Sequence, residues 1–234
     1  TPGYDLVGAF VGSEGTLGIA TKVWLRVVPA PETVRTLVAF FDTTHAAGEA
    51  VSQIVQSGVV PGAIEMMDKV AIEASEAMAN AGYPVGRGAA LLVELDGAER
   101  ECEARFDEVV QICEQCGSDD IRIAKDEAER QLFWKTRKAA FPAMGRIAPN
   151  YFVQDGVIPR TKLPEVLERL DELSKEYGMQ VANVFHAGDG NLHPLVCYDG
   201  RKEGEAEKAE ELSGRILDAC LEAGGSITGE HGVG

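Results

Sequence analysis

Two histidines flank an Asp-Gly dipeptide in residues 184–194, and this stretch constrains the fold more than any other part of the sequence. Asp-Gly is the preferred central pair of a two-residue type I′ hairpin turn, because both turn positions need φ > 0. If Asp189 and Gly190 form that turn, the strands pair outward from it and His186 lies directly opposite His193. Their Cβ atoms would then be about 5 Å apart on one face of a sheet. A longer turn would shift this register.

This pairing predicts a metal site, because two imidazoles at such a separation can share one ion. A third ligand is available in the Gly-rich segment 228–232, which contains Glu230. Two histidines and one carboxylate with open coordination positions are typical of a catalytic rather than a structural site. Zn²⁺ is the first candidate, with Mn²⁺ and Fe²⁺ as alternatives, because this ligand set does not select strongly among them. The other interpretation is that His186 and His193 only decorate a solvent-facing hairpin.

His231 is the candidate catalytic base. Neighbouring residues of an extended chain point to opposite sides, so a Glu230 that faces the metal leaves His231 directed elsewhere. An imidazole with its ordinary pKa near 6.5 suits proton transfer at neutral pH. On the local sequence alone, a capping or buried structural histidine is an equally good interpretation.

The chain alternates short β-branched runs with amphipathic segments, in two series. In the first series we predict strands at 34–41, 62–67, 89–95 and 121–124, and helices at 46–56, 69–81, 99–116 and 126–140. In the second we predict strands at 151–158, 181–186 and 192–198, and helices at 163–177 and 205–222. This order indicates an α+β fold, an antiparallel sheet flanked by helices, rather than a doubly wound parallel sheet. It also raises the hypothesis that the two series are related halves.

The first 31 residues differ in character from the rest. Glycines recur every third residue from Gly12 to Gly18, and the β-branched run 19–28 predicts a strand. Pro29 and Pro31 end that run and mark a linker. The glycine spacing is neither a dinucleotide fingerprint nor a P-loop. Alone it indicates a tight turn, although glycines also let backbone N–H groups approach a phosphate.

The charge balance excludes several function classes. With 22 Lys+Arg against 38 Asp+Glu, the net charge is −16, which disfavours a nucleic-acid surface and attachment to anionic lipid by charge.

Five cysteines are neither dense nor even in number and fit free thiols in a reducing compartment. No signal peptide is visible, and we expect a cytoplasmic protein.

Several motifs together resemble the FAD-linked oxidases of the vanillyl-alcohol oxidase type. The two most specific are VFHAGDGNLHP and GSITGEHG, and the full set lies at residues 3–6, 11–19, 134–138, 155–159, 184–194 and 225–232. Over essentially its whole length, the chain is most similar to the branch of bacterial glycolate oxidases and D-lactate dehydrogenases. The resemblance implies oxidation of a small 2-hydroxy acid, glycolate or D-lactate, to the 2-oxo acid, with FAD accepting the hydride.

The same resemblance implies roles for single residues. His186, His193 and Glu230 match the family's metal ligands, and His231 matches its proposed base. Arg137 matches an arginine that holds the substrate carboxylate. The residues matched to the cofactor are Asn191, near the flavin, and Gly12, Ser13, Gly15, Thr16, Gly18 and Ile19, in a loop on the FAD diphosphate and adenosine side.

The resemblance further implies a domain division and partners. Residues 1–31 would be the last piece of an FAD-binding domain, and residues 32–234 a substrate or cap domain truncated at its C-terminus. Both ends of the sequence look cut, so we expect a fragment that is inactive alone. Val153 stands where the hydroxyglutarate enzymes carry a lysine, which favours a monocarboxylate substrate. The implied partners are a second flavoprotein-like subunit and an iron–sulfur subunit, which would bring the protein to the inner face of the membrane.

Two other classes of function stay open on the residues. A metal-dependent hydrolase would use the same two-His-one-Glu site with a metal-bound water. Neither a nucleophile elbow nor an H-E-x-x-H motif accompanies that site in the sequence. A non-catalytic interaction module would contribute only an acidic surface to a larger assembly.

Overall fold

The strands of the chain pair antiparallel throughout and join into one eight-stranded sheet in the computed structural model, which describes residues 3–230. The strands are β1 (Thr33–Phe41), β2 (Ala63–Asp68), β3 (Ala89–Gly97), β4 (Asp120–Ile123), β5 (Asn150–Val153), β6 (Gly156–Val157), β7 (Val181–His186) and β8 (Asn191–Tyr198). The α-helices are α1 (Leu6–Phe10), α2 (Thr44–Gln56), α3 (Lys69–Ala79), α4 (Glu99–Gln115), α5 (Glu127–Ala143), α6 (Leu163–Tyr177) and α7 (Glu205–Glu222).

The strand order shows that the two series of elements fold alike. The sheet runs β4-β1-β3-β2-β7-β8-β5, with β6 also paired to β8. In the second series β5 and β6 together take the place of β1, and a bridge between Val157 and Ser226 stands where β4 pairs with β1. The halves meet where β2 pairs with β7, at Met66 and Phe185. The hypothesis of two similar halves agrees with this arrangement.

Helices cover both faces of the sheet. Helices α2, α4, α6 and α7 pack on one face, which we call the first face, and α3 and α5 pack on the second face. Along β1, Leu37 packs on the first face and Val38 on the second, so this interior strand is apolar on both sides. The predicted α+β fold with an antiparallel sheet is confirmed.

Local capping residues explain why most predicted element boundaries hold. The Thr43 side chain accepts a hydrogen bond from the Ala46 N–H and begins α2. Asp126 does the same for the Glu129 N–H and begins α5. Gly178, with φ of +57°, ends α6 in the left-handed conformation that glycine favours. The predicted bounds of α6, α7 and β7 coincide with the observed ones.

One predicted strand is absent from the sheet. Residues 19–28 lie outside every strand of the described chain, and side chains such as Trp24 and Val27 are exposed. A β-branched run becomes a strand only when a neighbouring strand satisfies its backbone hydrogen-bonding groups. Within residues 3–230, no strand pairs with the run 19–28. The expectation of a strand at 19–28 is therefore wrong for this chain.

A second predicted strand is broken. The run 151–158 divides into β5 and β6, with Gln154 and Asp155 between them. Both pieces pair with β8, so the break is local and does not change the topology. It frees the Gln154 carbonyl and the Asp155 carboxylate for contacts with other parts of the chain.

The turn between β7 and β8 is longer than predicted. Four residues, 187–190, separate the strands. The Asp189 N–H donates to the His186 carbonyl, and the Gly190 N–H donates to the Ala187 carbonyl. Gly190 has φ of +75°. Asp-Gly therefore ends a four-residue turn instead of forming the centre of a two-residue one.

This longer turn moves the register by two residues. His186 pairs with Asn191, and Val184 pairs with His193, so the two histidines are diagonal neighbours rather than directly opposed. The predicted pairing is wrong. Side chains alternate faces with a period of two, so a shift of two leaves both histidines on the same face. The prediction that both histidines contribute to one site therefore does not depend on the incorrect register.

Substitution of Gly190 by alanine tests this turn. The backbone is in the left-handed region, and an added Cβ would collide with the Ile158 carbonyl oxygen. We expect the free energy of unfolding to fall by at least about 2 kcal/mol. The matched control is Gly214→Ala in α7, where an added Cβ has open space and should stabilise the helix by about 0.5–1 kcal/mol. Urea denaturation measures both; an unchanged midpoint for Gly190→Ala would contradict the turn geometry.

A partly buried ion pair anchors α5 on the second face. Glu94 of β3 accepts hydrogen bonds of 2.8 Å from Nε and from Nη2 of Arg130. Trp134 Nε1 and Thr36 Oγ1 donate to the same carboxylate at 2.8 and 2.7 Å. Burial opposes ionisation of Glu94, but these hydrogen bonds outweigh it and lower its pKa. Arg137, two helical turns further along α5, is thereby brought to the end of β7.

Candidate active site

Three potential metal ligands converge beside the β7–β8 turn. His186, His193 and Glu230 each offer one ligand atom, and the three atoms lie within 4.8 Å of one another. Glu230 Oε1 is 3.2 Å from His193 Nε2 and 3.6 Å from His186 Nε2. The imidazole centroids are 5.2 Å apart, with the rings nearly perpendicular. The structure thus brings together the three residues predicted to bind a metal.

The cluster is closed on the protein side and open on the other. The His193 side chain is buried, whereas those of His186 and Glu230 are 38% and 46% exposed. The Phe141 ring of α5 meets His193 edge-on, at 6.1 Å between centroids. An ion held by these ligands would therefore keep coordination positions that a small molecule can reach.

The loop that carries Glu230 is fixed by Asp155. Asp155 Oδ2 accepts hydrogen bonds from Thr228 Oγ1 at 2.7 Å and from the Gly229 and Glu230 N–H groups at 3.0 and 2.9 Å. Burial opposes ionisation of Asp155, but these hydrogen bonds lower its pKa. The break between β5 and β6 places Asp155 here. In the sequence, Asp155 stands out only as the first residue of the motif 155–159, which does not indicate this role.

Two further contacts orient the candidate ligands His193 and Glu230. His193 Nδ1 lies 3.1 Å from the Gln154 carbonyl oxygen, which can only accept, so Nδ1 carries a proton. The other ring nitrogen, Nε2, faces Glu230 Oε1 at 3.2 Å. Asn191 Nδ2 donates to Glu230 Oε1 at 2.9 Å, and Asn191 Oδ1 is buried without a hydrogen-bond partner. Asn191 therefore contacts a candidate ligand directly, and its role toward a flavin stays a prediction.

Glu65 of β2 connects His186 with Arg137. Glu65 Oε1 lies 2.9 Å from His186 Nδ1, and Glu65 Oε2 lies 2.6 Å from Arg137 Nη2. The hydrogen bond to Glu65 raises the pKa of His186. Burial lowers the pKa of Arg137, and the Glu65 carboxylate opposes that shift. Sequence reasoning missed Glu65; its only signal is a lone carboxylate in the apolar run AIEMM.

Arg137 keeps unused hydrogen-bonding capacity. Its Nη2 also donates to the Phe185 carbonyl at 3.4 Å, but its Nε–H is buried without a partner. An unpaired N–H in a buried guanidinium is costly unless a ligand or water satisfies it. The position fits an arginine that receives an anion, which is the role predicted for it.

The remaining predicted site residues lie elsewhere. His231 is outside the described residues. Residues 12–19 form an irregular, mostly exposed segment, and their contacts with FAD stay a prediction. All five cysteines are free, as expected, and burial raises the pKa of Cys113 to about 12. Among residues 3–230, no helix is both long enough and apolar enough to cross a membrane.

A family comparison identifies the class of protein. The family described as FAD linked oxidases, C-terminal domain, matches residues 30–234. The chain therefore belongs to this family, and the predicted resemblance is confirmed.

Individual relatives show which members of this family the chain resembles. The glycolate oxidase subunit GlcD of Escherichia coli (strain K12) is 51% identical over 234 residues, which is 100% of this chain and 47% of that protein. The probable mitochondrial D-lactate dehydrogenase of Danio rerio is 33% identical over 236 residues, covering 99% of this chain and 47% of that protein. The chain thus spans about half the length of the curated relatives it matches. A solved structure of alkyldihydroxyacetonephosphate synthase shares the fold, with a TM-score of 0.69 and 16% identity over 97% of this chain and 46% of that one.

Proposed function

We propose that this chain supplies the substrate- and metal-binding part of an FAD-dependent enzyme that oxidises a small 2-hydroxy acid, glycolate or D-lactate, to the 2-oxo acid. The observation that carries the proposal is the convergence of His186, His193 and Glu230 beside the buried, incompletely paired Arg137. The names of the relatives, a glycolate oxidase subunit and a D-lactate dehydrogenase, support the substrate class.

The side chains fit a divalent metal, Zn²⁺ first, with Mn²⁺ or Fe²⁺ as alternatives. Both imidazoles place Nδ1 against an oxygen acceptor and both direct Nε2 toward Glu230, which is the arrangement of metal-binding histidines. When bound, the ion would polarise the hydroxyl and one carboxylate oxygen of the substrate, and FAD would accept the hydride.

The residues of this chain would bind the acid and remove its proton. Arg137 would hold the substrate carboxylate, because a guanidinium fork matches two carboxylate oxygens. His231 would take the hydroxyl proton as general base. Val153 pairs with Leu195, two residues beyond His193 in β8, and offers no cation to a second carboxylate, which supports a monocarboxylate.

Residues 1–31 would complete an FAD-binding domain, and residues 32–234 would form the substrate domain. The exposed apolar side chains of Ile19 and Trp24 suit a segment that packs against further protein. In this proposal Gly12, Ser13, Gly15, Thr16, Gly18 and Ile19 lie on the FAD diphosphate and adenosine side.

The protein would act with other subunits. The E. coli relative is named as a subunit of an oxidase, which supports an assembly of several chains. In our proposal the other chains are a second flavoprotein-like subunit and an iron–sulfur subunit. They would hold the assembly in the cytoplasm at the inner face of the membrane.

Replacement of Arg137 by lysine tests the substrate role. Lysine keeps the charge next to Glu65 but cannot form a bidentate pair, so we expect kcat/KM for glycolate or D-lactate to fall roughly 10- to 100-fold, mainly through KM. Dye-coupled oxidation measures this in a longer chain that also carries the FAD-binding domain. The control is Lys138→Met, an exposed cation on the same helix that lies over the Trp134 ring.

Two results would contradict the proposal. Unchanged kcat/KM in the Arg137→Lys variant would remove Arg137 from the substrate site. Ester hydrolysis by the metal-loaded chain without any flavin, lost on substitution of His193, would instead support a metal-dependent hydrolase.

A further inference from the structure

We infer that Glu65 is a positioning residue that holds His186 in the tautomer needed for metal binding and at the same time orients Arg137 toward the substrate. This inference rests on the proposed function, and it assigns a role to a residue outside the ligand set.

The two oxygens of Glu65 are divided between two partners. Oε1 lies 2.9 Å from His186 Nδ1, and Oε2 lies 2.6 Å from Arg137 Nη2. The side chains of Glu65 and Arg137 are only 10% and 7% exposed, so their contact is largely shielded from water, whereas the His186 side chain is 38% exposed. The three residues come from β2, β7 and α5, so one carboxylate links both halves of the sheet and the helix above them.

The chemistry of a carboxylate decides the tautomer. An ionised carboxylate only accepts hydrogen bonds, so His186 Nδ1 must carry the proton that points at Glu65. The lone pair of His186 then sits on Nε2, which is 3.6 Å from Glu230 Oε1. The opposite tautomer would place a proton at Nε2 and block it as a ligand. His193 is held in the same way by the Gln154 carbonyl oxygen.

Anchoring of α5 does not require Glu65. The Glu94–Arg130 pair, with its added hydrogen bonds from Trp134 and Thr36, already fixes that helix two turns earlier. The pairing of Glu65 with Arg137 therefore serves the site more than the packing, because it sets where the guanidinium lies relative to His186.

Substitution of Glu65 by glutamine tests the inference in the purified protein. Glutamine has one acceptor oxygen, so it can serve only one of its two donor partners. When that oxygen accepts from Arg137, the glutamine NH₂ faces His186 Nδ1 and favours a proton at Nε2. We expect the affinity for Zn²⁺, measured by calorimetric titration, to fall about 10- to 100-fold. Long-range ¹H–¹⁵N spectra of the metal-free protein should show the neutral imidazole of His186 protonated at Nδ1 in the natural protein and at Nε2 in Glu65→Gln.

The matched control is Glu94→Gln, which weakens a second carboxylate–arginine pair of the same sheet face, one that is more exposed and contacts neither histidine. Its Zn²⁺ affinity should stay unchanged. The inference is overturned if Glu65→Gln binds Zn²⁺ as tightly as the natural protein, or if Glu94→Gln loses as much affinity.

The spectrum of the natural protein gives a separate answer, even if Glu65→Gln fails to fold. A neutral His186 imidazole whose single proton lies at Nε2 in the metal-free natural protein would refute the role of Glu65. Failure of the natural protein to bind Zn²⁺ would refute the proposed metal site instead, and the tautomer would still decide the role of Glu65.

Discussion

Replacement of His193 by alanine is expected to remove the bound metal completely and to lower 2-hydroxy-acid oxidation by about 10³-fold. Among the three candidate metal ligands, His193 is the buried one, and its ring lies between the Gln154 carbonyl and Glu230. Its loss leaves two half-exposed ligands, His186 and Glu230, which offer too few donors for a stable site. A metal contributes several kcal/mol of charge stabilisation in the transition state, which sets the size of the kinetic effect.

The measurement is metal content after dialysis, combined with dye-coupled oxidation in a chain that includes the FAD-binding domain. The control is His45→Ala, because His45 is an exposed histidine on α2, which covers the first face, and pairs only with surface carboxylates. A His193→Ala protein that still holds one ion per chain would exclude the proposed ligand set. Loss of the ion with full activity would separate the metal from the chemistry.

The second large effect is a fall in the free energy of unfolding as the pH rises, caused by Asp68 at the boundary between the halves. Asp68 is buried and accepts hydrogen bonds from the Ala71 N–H at 2.9 Å and from the Asn183 N–H and Nδ2 at 2.7 and 2.9 Å. Burial nevertheless raises the pKa of Asp68 to about 7.

The sign follows from proton binding. In the unfolded chain the pKa of an aspartate is about 3.9, so between about pH 4 and pH 7 the folded protein binds more protons at Asp68 than the unfolded chain does. Raising the pH through this window therefore favours the unfolded state. Full ionisation of Asp68 should lower the free energy of unfolding by roughly 4 kcal/mol, with no further change from this residue above about pH 7.

Urea unfolding of the natural protein and of Asp68→Asn at pH 5, 6, 7 and 8 measures this effect. Asparagine does not titrate, so the stability difference between the two proteins should shrink as the pH rises. All other titrating groups are shared and cancel in the comparison. Parallel pH curves for the two proteins would show that Asp68 is ionised throughout the range.

Local sequence signals predict much of this fold because helix starts, helix ends and apolar periodicity are encoded within a few residues. The Thr43 and Asp126 caps and the Gly178 terminus are of this kind. The strand register is different, because it depends on the turn that the whole hairpin adopts. Asp189 and Gly190 suggested a two-residue turn, whereas the chain forms a four-residue one.

The candidate ligands could be found in the sequence because His186 and His193 share one hairpin and Glu230 lies in a Gly-rich segment. Their supporting residues could not. Glu65 is 121 positions from His186, and Asp155 is 75 positions from Glu230, so only the folded sheet brings each pair together. Glu65 is marked only as a lone carboxylate in an apolar run and Asp155 only as the first residue of a motif, and neither local signal identifies the distant residue that it contacts.

The similarity of the two halves has a consequence for how this scaffold can change. Between β2 and β3 the first half inserts α3, whose Ile72 fills the second face with apolar packing. In the second half, the corresponding connection is only the short turn 187–190. His186 and Glu230 lie at that end of the second face. One plan thus yields a half covered by a helix at this end and a half that is open there. The first half contributes Glu65 and Arg137 to the open end, so substitutions elsewhere in that half, such as under α3, can change rigidity while substitutions around the turn 187–190 change selectivity.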